Sequence, residues 1–233
     1  MTDAADHAGA PGPLAALGTL AATEVTIAPS LDHIEMYTRS GLLTMLWHGE
    51  ADHRQVALMA GGAMGGLLGP GRGLYHRLGV HLAERGIGTI RVGYRVPNDI
   101  DLCVLDVMAA AELAARRGAR SFVVVGHSFG GAVAIQTAVA LGHMAAGVVT
   151  AATQAGGCEE GEALTCPALH LHGDRDELLP PMASEMVRML TDGELVLYPG
   201  AGHMLTEADE EIFDLLGEWI PAHLRAHSPE AAS

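Results

Sequence analysis

The stretch Phe122-Val123-Val124-Val125-Gly126-His127-Ser128-Phe129-Gly130 decides how the rest of the chain is read. Four large apolar residues without alternation suit a strand of a parallel sheet, buried on both faces. Immediately after them stands G-x-S-x-G, and after that an apolar run, 129–141, of helical length. A sharp strand-to-helix turn leaves room only for small residues two positions to either side of its central residue. It also lifts the Ser128 hydroxyl clear of the sheet and sets it at the positive end of the following helix.

Outward from this point the same pattern recurs: apolar strand, Gly-rich loop, amphipathic helix. Strands are expected at 55–59, 88–94, 121–125, 147–151, 168–172 and 194–198, with helices near 73–85, 99–117, 129–141, 181–190 and 208–226. Strands alternating with helices of 10–18 residues indicate right-handed crossovers and a parallel sheet. Three shorter, mixed segments precede them, at 23–27, 34–39 and 42–47, the last two joined by the Ser40–Gly41 turn. The expectation is an α/β protein, a three-layer α/β/α sandwich with a mostly parallel central sheet of about eight strands. Domain boundaries follow: an Ala-, Gly- and Pro-rich leader over 1–18 read as disordered, one domain over 19–227, and a flexible tail over 228–233.

Composition excludes several chemistries. All 13 basic residues are arginine, so no lysine is present for a Schiff base, a phosphate-loop lysine, a kinase lysine or a Ser–Lys dyad. The net charge of −15 repels phosphate backbones, and no basic stripe offsets it, so nucleic-acid binding is not expected. No apolar run reaches the roughly 20 residues that span a bilayer. Three cysteines (Cys103, Cys158, Cys166) without knuckle spacing fit a reducing compartment. The first basic residue is Arg39, which does not suit a secretory signal, so a cytoplasmic protein is expected.

Two further loops carry chemistry-bearing residues. Leu171-His172-Gly173-Asp174-Arg175-Asp176 follows one strand, and Tyr198-Pro199-Gly200-Ala201-Gly202-His203 follows the next. With Ser128 they give the order nucleophile, acid, histidine. These three motifs resemble those of the α/β-hydrolase superfamily, over about Val56 to Leu224. The resemblance implies Ser128 as nucleophile, His203 as base and Asp176, from its H-G-x-x-D spacing, as orienting acid. Asp174 competes with Asp176 for the last role; read alone, it is a turn residue bonding local backbone. Glu159 and Glu160, after the preceding strand, are a weaker candidate pair.

The family also implies two backbone N–H groups that hold an oxyanion. One belongs to Phe129, the residue after the nucleophile. The other comes from Ala60-Gly61-Gly62-Ala63-Met64-Gly65-Gly66, where most relatives have His-Gly; Ala63 and Gly62 both fit. The stretches Gly69 to Arg77 and Tyr94 to Asp99 are similar to small bacterial dienelactone-hydrolase-like proteins. Dienelactone hydrolases proper use a cysteine, whereas this chain has Ser128.

Only residues 152–167 separate two strands where a cap domain is usually inserted, too few for a helical lid. An open site follows, suited to a small-molecule acyl substrate: an ester, lactone or thioester. A peptidase or amidase with the same triad stays open, as does a non-catalytic ligand-binding protein on this scaffold. No cofactor and no metal are implied. His170 and His172 lie two apart near Cys166, a metal-compatible spacing, but no third ligand is fixed and packed, hydrogen-bonded histidines are the plainer reading. His127 reads as a packing residue, and a homo-oligomer is left open.

Overall fold

The computed structural model describes residues 11–227. Nine strands form one sheet: β1 (Thr19–Ala28), β2 (Leu31–Thr38), β3 (Gly41–His48), β4 (Gln55–Ala60), β5 (Gly88–Gly93), β6 (Ser121–His127), β7 (Ala145–Ala151), β8 (Ala168–Gly173) and β9 (Glu194–Tyr198). Their spatial order is β1-β2-β3-β5-β4-β6-β7-β8-β9. The first three strands and β5 pair antiparallel; β5 through β9 pair parallel. The helices are α1 (Pro13–Ala16), α2 (Leu74–Ala83), α3 (Ile100–Arg116), α4 (Phe129–Leu141), α5 (Met182–Thr191) and α6 (Asp209–Ala226).

The apolar strands divide their side chains between two cores, as strand alternation requires. Val56, Leu58, Phe122 and Val124 pack with α3 and α4 on one face. Ala57, Met59, Val123 and Val125 pack with α2 and α6 on the other. Both faces are covered, which is why these segments read as unbroken apolar runs.

Nine strands stand where about eight were expected. The difference lies at the antiparallel edge, where β1 runs for ten residues and every one is exposed. With neither face buried, hydrophobic patterning carries little information there. The leader also departs from its reading. Pro13–Ala16 form one helical turn, the Leu14 N–H donates to Glu112 Oε2 at 2.8 Å, and Leu17 is 3% exposed. Apolar Leu14 and Leu17 dock on α3, so the composition of 11–18 misled. The first ten residues of the expected leader and the expected tail at 228–233 lie outside the described residues.

The chain leaves β4 toward β5 on one side and later places β6 on the other. The C-terminal ends of β4 and β6 therefore flank a topological switch point, where open α/β sheets form crevices. One buried ion pair braces this region. After β5, Arg95 donates from Nε and its backbone N–H to the carboxylate of Asp106 on α3, with side-chain exposures of 2% and 0%. Removing one partner would strand the other charge in the core. Asp106→Ala is expected to cost roughly 3–5 kcal/mol in urea unfolding; a change within error would refute this account of the pair.

Candidate active site

Ser128 sits between β6 and α4 with φ 57° and ψ −123°, a conformation that L-residues rarely adopt. Steric facts on either side force the turn to be made of glycine. A Cβ on Gly126 would lie 1.9 Å from the Gly130 carbonyl oxygen, and one on Gly130 would lie 2.3 Å from that of Gly61. The backbone itself is clamped: the Ser128 N–H donates to the Ala151 carbonyl at 2.8 Å, and the Gly131 N–H to the Ser128 carbonyl at 2.9 Å. Ser128 caps α4, so its hydroxyl lies at the helix's positive end.

Two other loops converge on this hydroxyl. His203 follows β9, and its Nε2 lies 3.0 Å from Ser128 Oγ. Its Nδ1 lies 2.7 Å from Oδ2 of Asp176, which follows β8. With the proton on Nδ1, the imidazole donates to the carboxylate and accepts from the hydroxyl. The two loops touch through backbone: a Cβ on Gly173 would lie 2.1 Å from the Ala201 carbonyl oxygen, so only glycine admits this approach.

The Asp176 side chain is buried and richly bonded. Oδ1 accepts from the Leu178 and Leu179 N–H groups at 2.8 and 2.9 Å. Burial alone would push the carboxyl up, but these bonds and His203 together hold it below the usual carboxylate range. Asp174, the competing acid, instead accepts from the Gly200 N–H at 2.6 Å, the turn role. Glu159 and Glu160 lie in a short 3₁₀ turn, with Glu159 accepting from the Gly157 N–H.

The histidines that the sequence reads as packed residues take up definite partners around these loops. His172 Nε2 lies 3.2 Å from Asp176 Oδ2 and 3.0 Å from the Leu179 carbonyl, while Ser184 occupies its Nδ1 at 2.6 Å. This histidine, held by Ser184 and the Leu179 carbonyl, packs beside the Asp176 carboxylate. Its position four residues before Asp176 was the available signal. His127 donates from Nε2 to the His203 carbonyl at 3.0 Å and stacks obliquely on its ring, a packing role in line with its reading. His170 bridges Thr150 and Thr191, and no cluster of three metal-type ligands occurs among the described residues.

The loop 61–69 forms the opposite wall. Tyr75 and Tyr94 hydroxyls donate to the Ala60 and Gly61 carbonyls at 2.9 and 3.0 Å, fixing where it leaves β4. Within it the Gly65 N–H donates to the Gly62 carbonyl at 2.8 Å, closing a tight bridge. Loop, Ser128 and His203 enclose a cavity of about 500 Å³, whose apolar lining includes Met64, Leu67, Leu68, Leu178 and Met204 and whose lining contains no Asp, Glu or Arg. Met64 is 93% and Leu178 73% exposed, so the mouth is open. Residues 152–167 supply one 3₁₀ turn and no lid. Arg72 and Arg95 lie outside this lining, bonded to Asp209 and Asp106.

A family model for the dienelactone hydrolase family matches residues 90–228, more than half of the chain. The chain belongs to the dienelactone hydrolase family. Its structural likenesses extend across the α/β hydrolases. Est1E from Butyrivibrio proteoclasticus superposes with a TM-score of 0.71 at 14% identity, covering 83% of this chain and 99% of that one. A dienelactone hydrolase from Anabaena variabilis gives 0.70 at 16%, over 86% and 98%. A monoacylglycerol lipase from Paleococcus ferrophilus gives 0.63 at 17%, over 78% and 99%. At such identities the likeness is one of fold. No curated protein matches the chain. The family is one of hydrolases; within it, this chain's elbow carries Ser128.

Two outcomes follow from this geometry. Gly130→Ala is expected to cost about 3 kcal/mol or more in urea unfolding, because backbone oxygen occupies the Cβ position; wild-type stability would contradict the steric account. The second concerns pH. Burial is the main cause that pushes His48, His127 and His170 down to about 4 from an ordinary 6.5. Between those values the unfolded chain binds protons that the folded chain refuses. Their stabilising contribution is whole above pH 6.5 and is lost as pH falls through 4. The urea midpoint should accordingly drop from pH 7 to pH 4.5, and a flat profile would contradict it.

Proposed function

We propose that this chain is a serine hydrolase that cleaves a carboxylic ester, lactone or thioester through an acyl-enzyme on Ser128. The observation that carries the reading is the continuous chain of two hydrogen bonds, 3.0 Å from Ser128 to His203 and 2.7 Å from His203 to Asp176.

A serine hydroxyl is a poor nucleophile at neutral pH, so a base must take its proton as it attacks. In the proposed mechanism His203 Nε2 receives that proton while Oγ bonds to the carbonyl carbon. Asp176 holds the tautomer that makes this possible and stabilises the imidazolium that results. The carbonyl oxygen, now negative, is held by the N–H groups of Phe129, at the start of α4, and Ala63. Ala63 is taken ahead of Gly62 because Gly61-Gly62 aligns with the His-Gly of most relatives; the bridge bond uses the Gly62 carbonyl and leaves the choice to that alignment. His203 then gives its proton to the departing alkoxide or thiolate, and the C–O or C–S bond breaks. Water enters by the same route in reverse: it loses a proton to His203, its oxygen attacks the acyl carbon, and Ser128 leaves with the proton restored.

The substrate side of the reading rests on the cavity. Its walls are aliphatic and its lining carries no Asp, Glu or Arg, so an uncharged acyl group fits and a carboxylate-bearing one finds no counter-ion. The unlidded mouth accommodates leaving groups of varied size.

Intact-mass analysis after a fluorophosphonate tests the proposal. One adduct on the wild type, absent from Ser128→Ala, is expected; no adduct on folded wild-type protein would sink it. In turnover assays Ser128→Ala and His203→Ala should lose at least roughly 10⁴-fold in kcat, and Asp176→Asn about as much. Asp174→Asn should stay within a few-fold, and the reverse pattern would reassign the acid.

A further inference from the structure

The α2 side of the sheet holds a polar cluster on β3 and β5 that the chemistry above does not use. Arg91 on β5 is 3% exposed. Its Nη1 donates to the Leu67 carbonyl at 3.1 Å and its Nη2 to His76 Nδ1 at 3.4 Å, while Nε has no partner. No carboxylate pairs with it among the described residues. The contrast with Arg95, equally buried but clasped by Asp106, is sharp. A guanidinium withdrawn from water without a counter-ion is costly, and the cost is relieved by any anion brought close.

Next to this charge is a place for one. His48, on β3, is 2% exposed and its Nε2 has no partner. Its ring stands 5.4 Å from that of His76 on α2. Both histidines line a cavity of about 320 Å³, with Ala28, Pro29, Ser30, Leu31, Val80 and Ala83 as its other walls and Glu84 exposed at the rim; Arg91 does not line it and stands behind His76. Since His76 Nδ1 accepts from Arg91, its Nε2 carries the proton and is a donor. Burial first, and the Arg91 charge second, push both histidines below their ordinary range.

We propose that this cavity binds a small organic carboxylate, with its oxygens on the His76 and His48 side beneath the Arg91 charge and its hydrocarbon part against Leu31, Val80 and Ala83. The aliphatic walls favour such an ion over inorganic phosphate, whose second charge and four oxygens need more donors than two imidazoles and one hydroxyl supply. The proposal does not rest on the hydrolase reading: Ser128 takes no part, although Arg91 also holds the Leu67 carbonyl of the loop beside it.

The experiment is calorimetric titration of the full chain with butyrate, and with butyramide as its neutral counterpart, near pH 7. Saturable binding of butyrate but not butyramide is expected. Arg91→Met should weaken it by at least about tenfold, since the unpaired charge behind His76 is removed. Val80→Trp, which fills the cavity from a position that is 45% exposed and leaves Arg91 in place, should do the same. Undiminished binding in Val80→Trp would place butyrate elsewhere, at the Ser128 cavity for instance, and overturn the proposal. Absence of saturable binding, or equal binding of butyramide, would overturn it as well.

Discussion

Beneath Ser128 the backbone passes so close to neighbouring backbone that Gly126 and Gly130 leave no space for a Cβ. Everything at the C-terminal edge of the sheet takes its position from that contact. Gly130 lets the start of α4 press on the Ala60 and Gly61 carbonyls, so β4 and its loop are located by the same packing that bends the chain at Ser128. Gly131 is held against Thr153 after β7. The strained φ of Ser128 is sustained because the two strands beside β6 and the helix after it over-determine the turn. Strain of this kind persists only in a rigid frame, and doubly buried parallel strands provide one.

Burial of polar groups follows opposite rules on the two sides of this frame. Around Asp176 every oxygen is occupied: two N–H groups, one imidazole and a second imidazole behind it. Here hydrogen bonds outweigh desolvation, and the carboxyl stays ionised. Under α2 the balance is left open, with Arg91, His48 and Thr89 each retaining an unpartnered atom. Interiors tolerate few such groups, and their concentration on neighbouring positions of β3 and β5 separates this region from the rest of the core. Arg91 nonetheless ties it to the substrate loop through the Leu67 carbonyl.

Much of this was legible in the chain because the controlling constraints are local. A strand, a turn and a helix in immediate succession fix the G-x-S-x-G geometry within nine residues, and each of the other two loops follows its own strand. The spacing of His172 and Asp176 likewise survived folding intact. What escaped the pattern depends on contacts far apart in sequence. Leu14 and Leu17 are ordered by α3, a hundred residues later, so their own neighbours gave no sign. β1 extends the 23–27 segment to ten residues by pairing with β2, not by burial, so its full length was not visible in the pattern. What sets Asp174 apart from Asp176 is its bond to the Gly200 N–H, which lies across a loop-to-loop contact.

A serine at the elbow also sets what the rest of the proposed machinery must supply. A thiol in that place would carry part of its own activation, since its proton leaves near neutral pH. The three thiols of this chain are no substitute: burial pushes Cys103 and Cys158 up to about 12 and Cys166 up to about 11. An alcohol loses its proton only to a base already in contact, so in this reading the reaction depends on His203 being neutral at Nε2 and correctly turned. That requirement passes to Asp176 and from it to His172, Leu178 and Leu179. The density of bonds around a single buried carboxylate is then the structural counterpart of having oxygen, not sulfur, at residue 128.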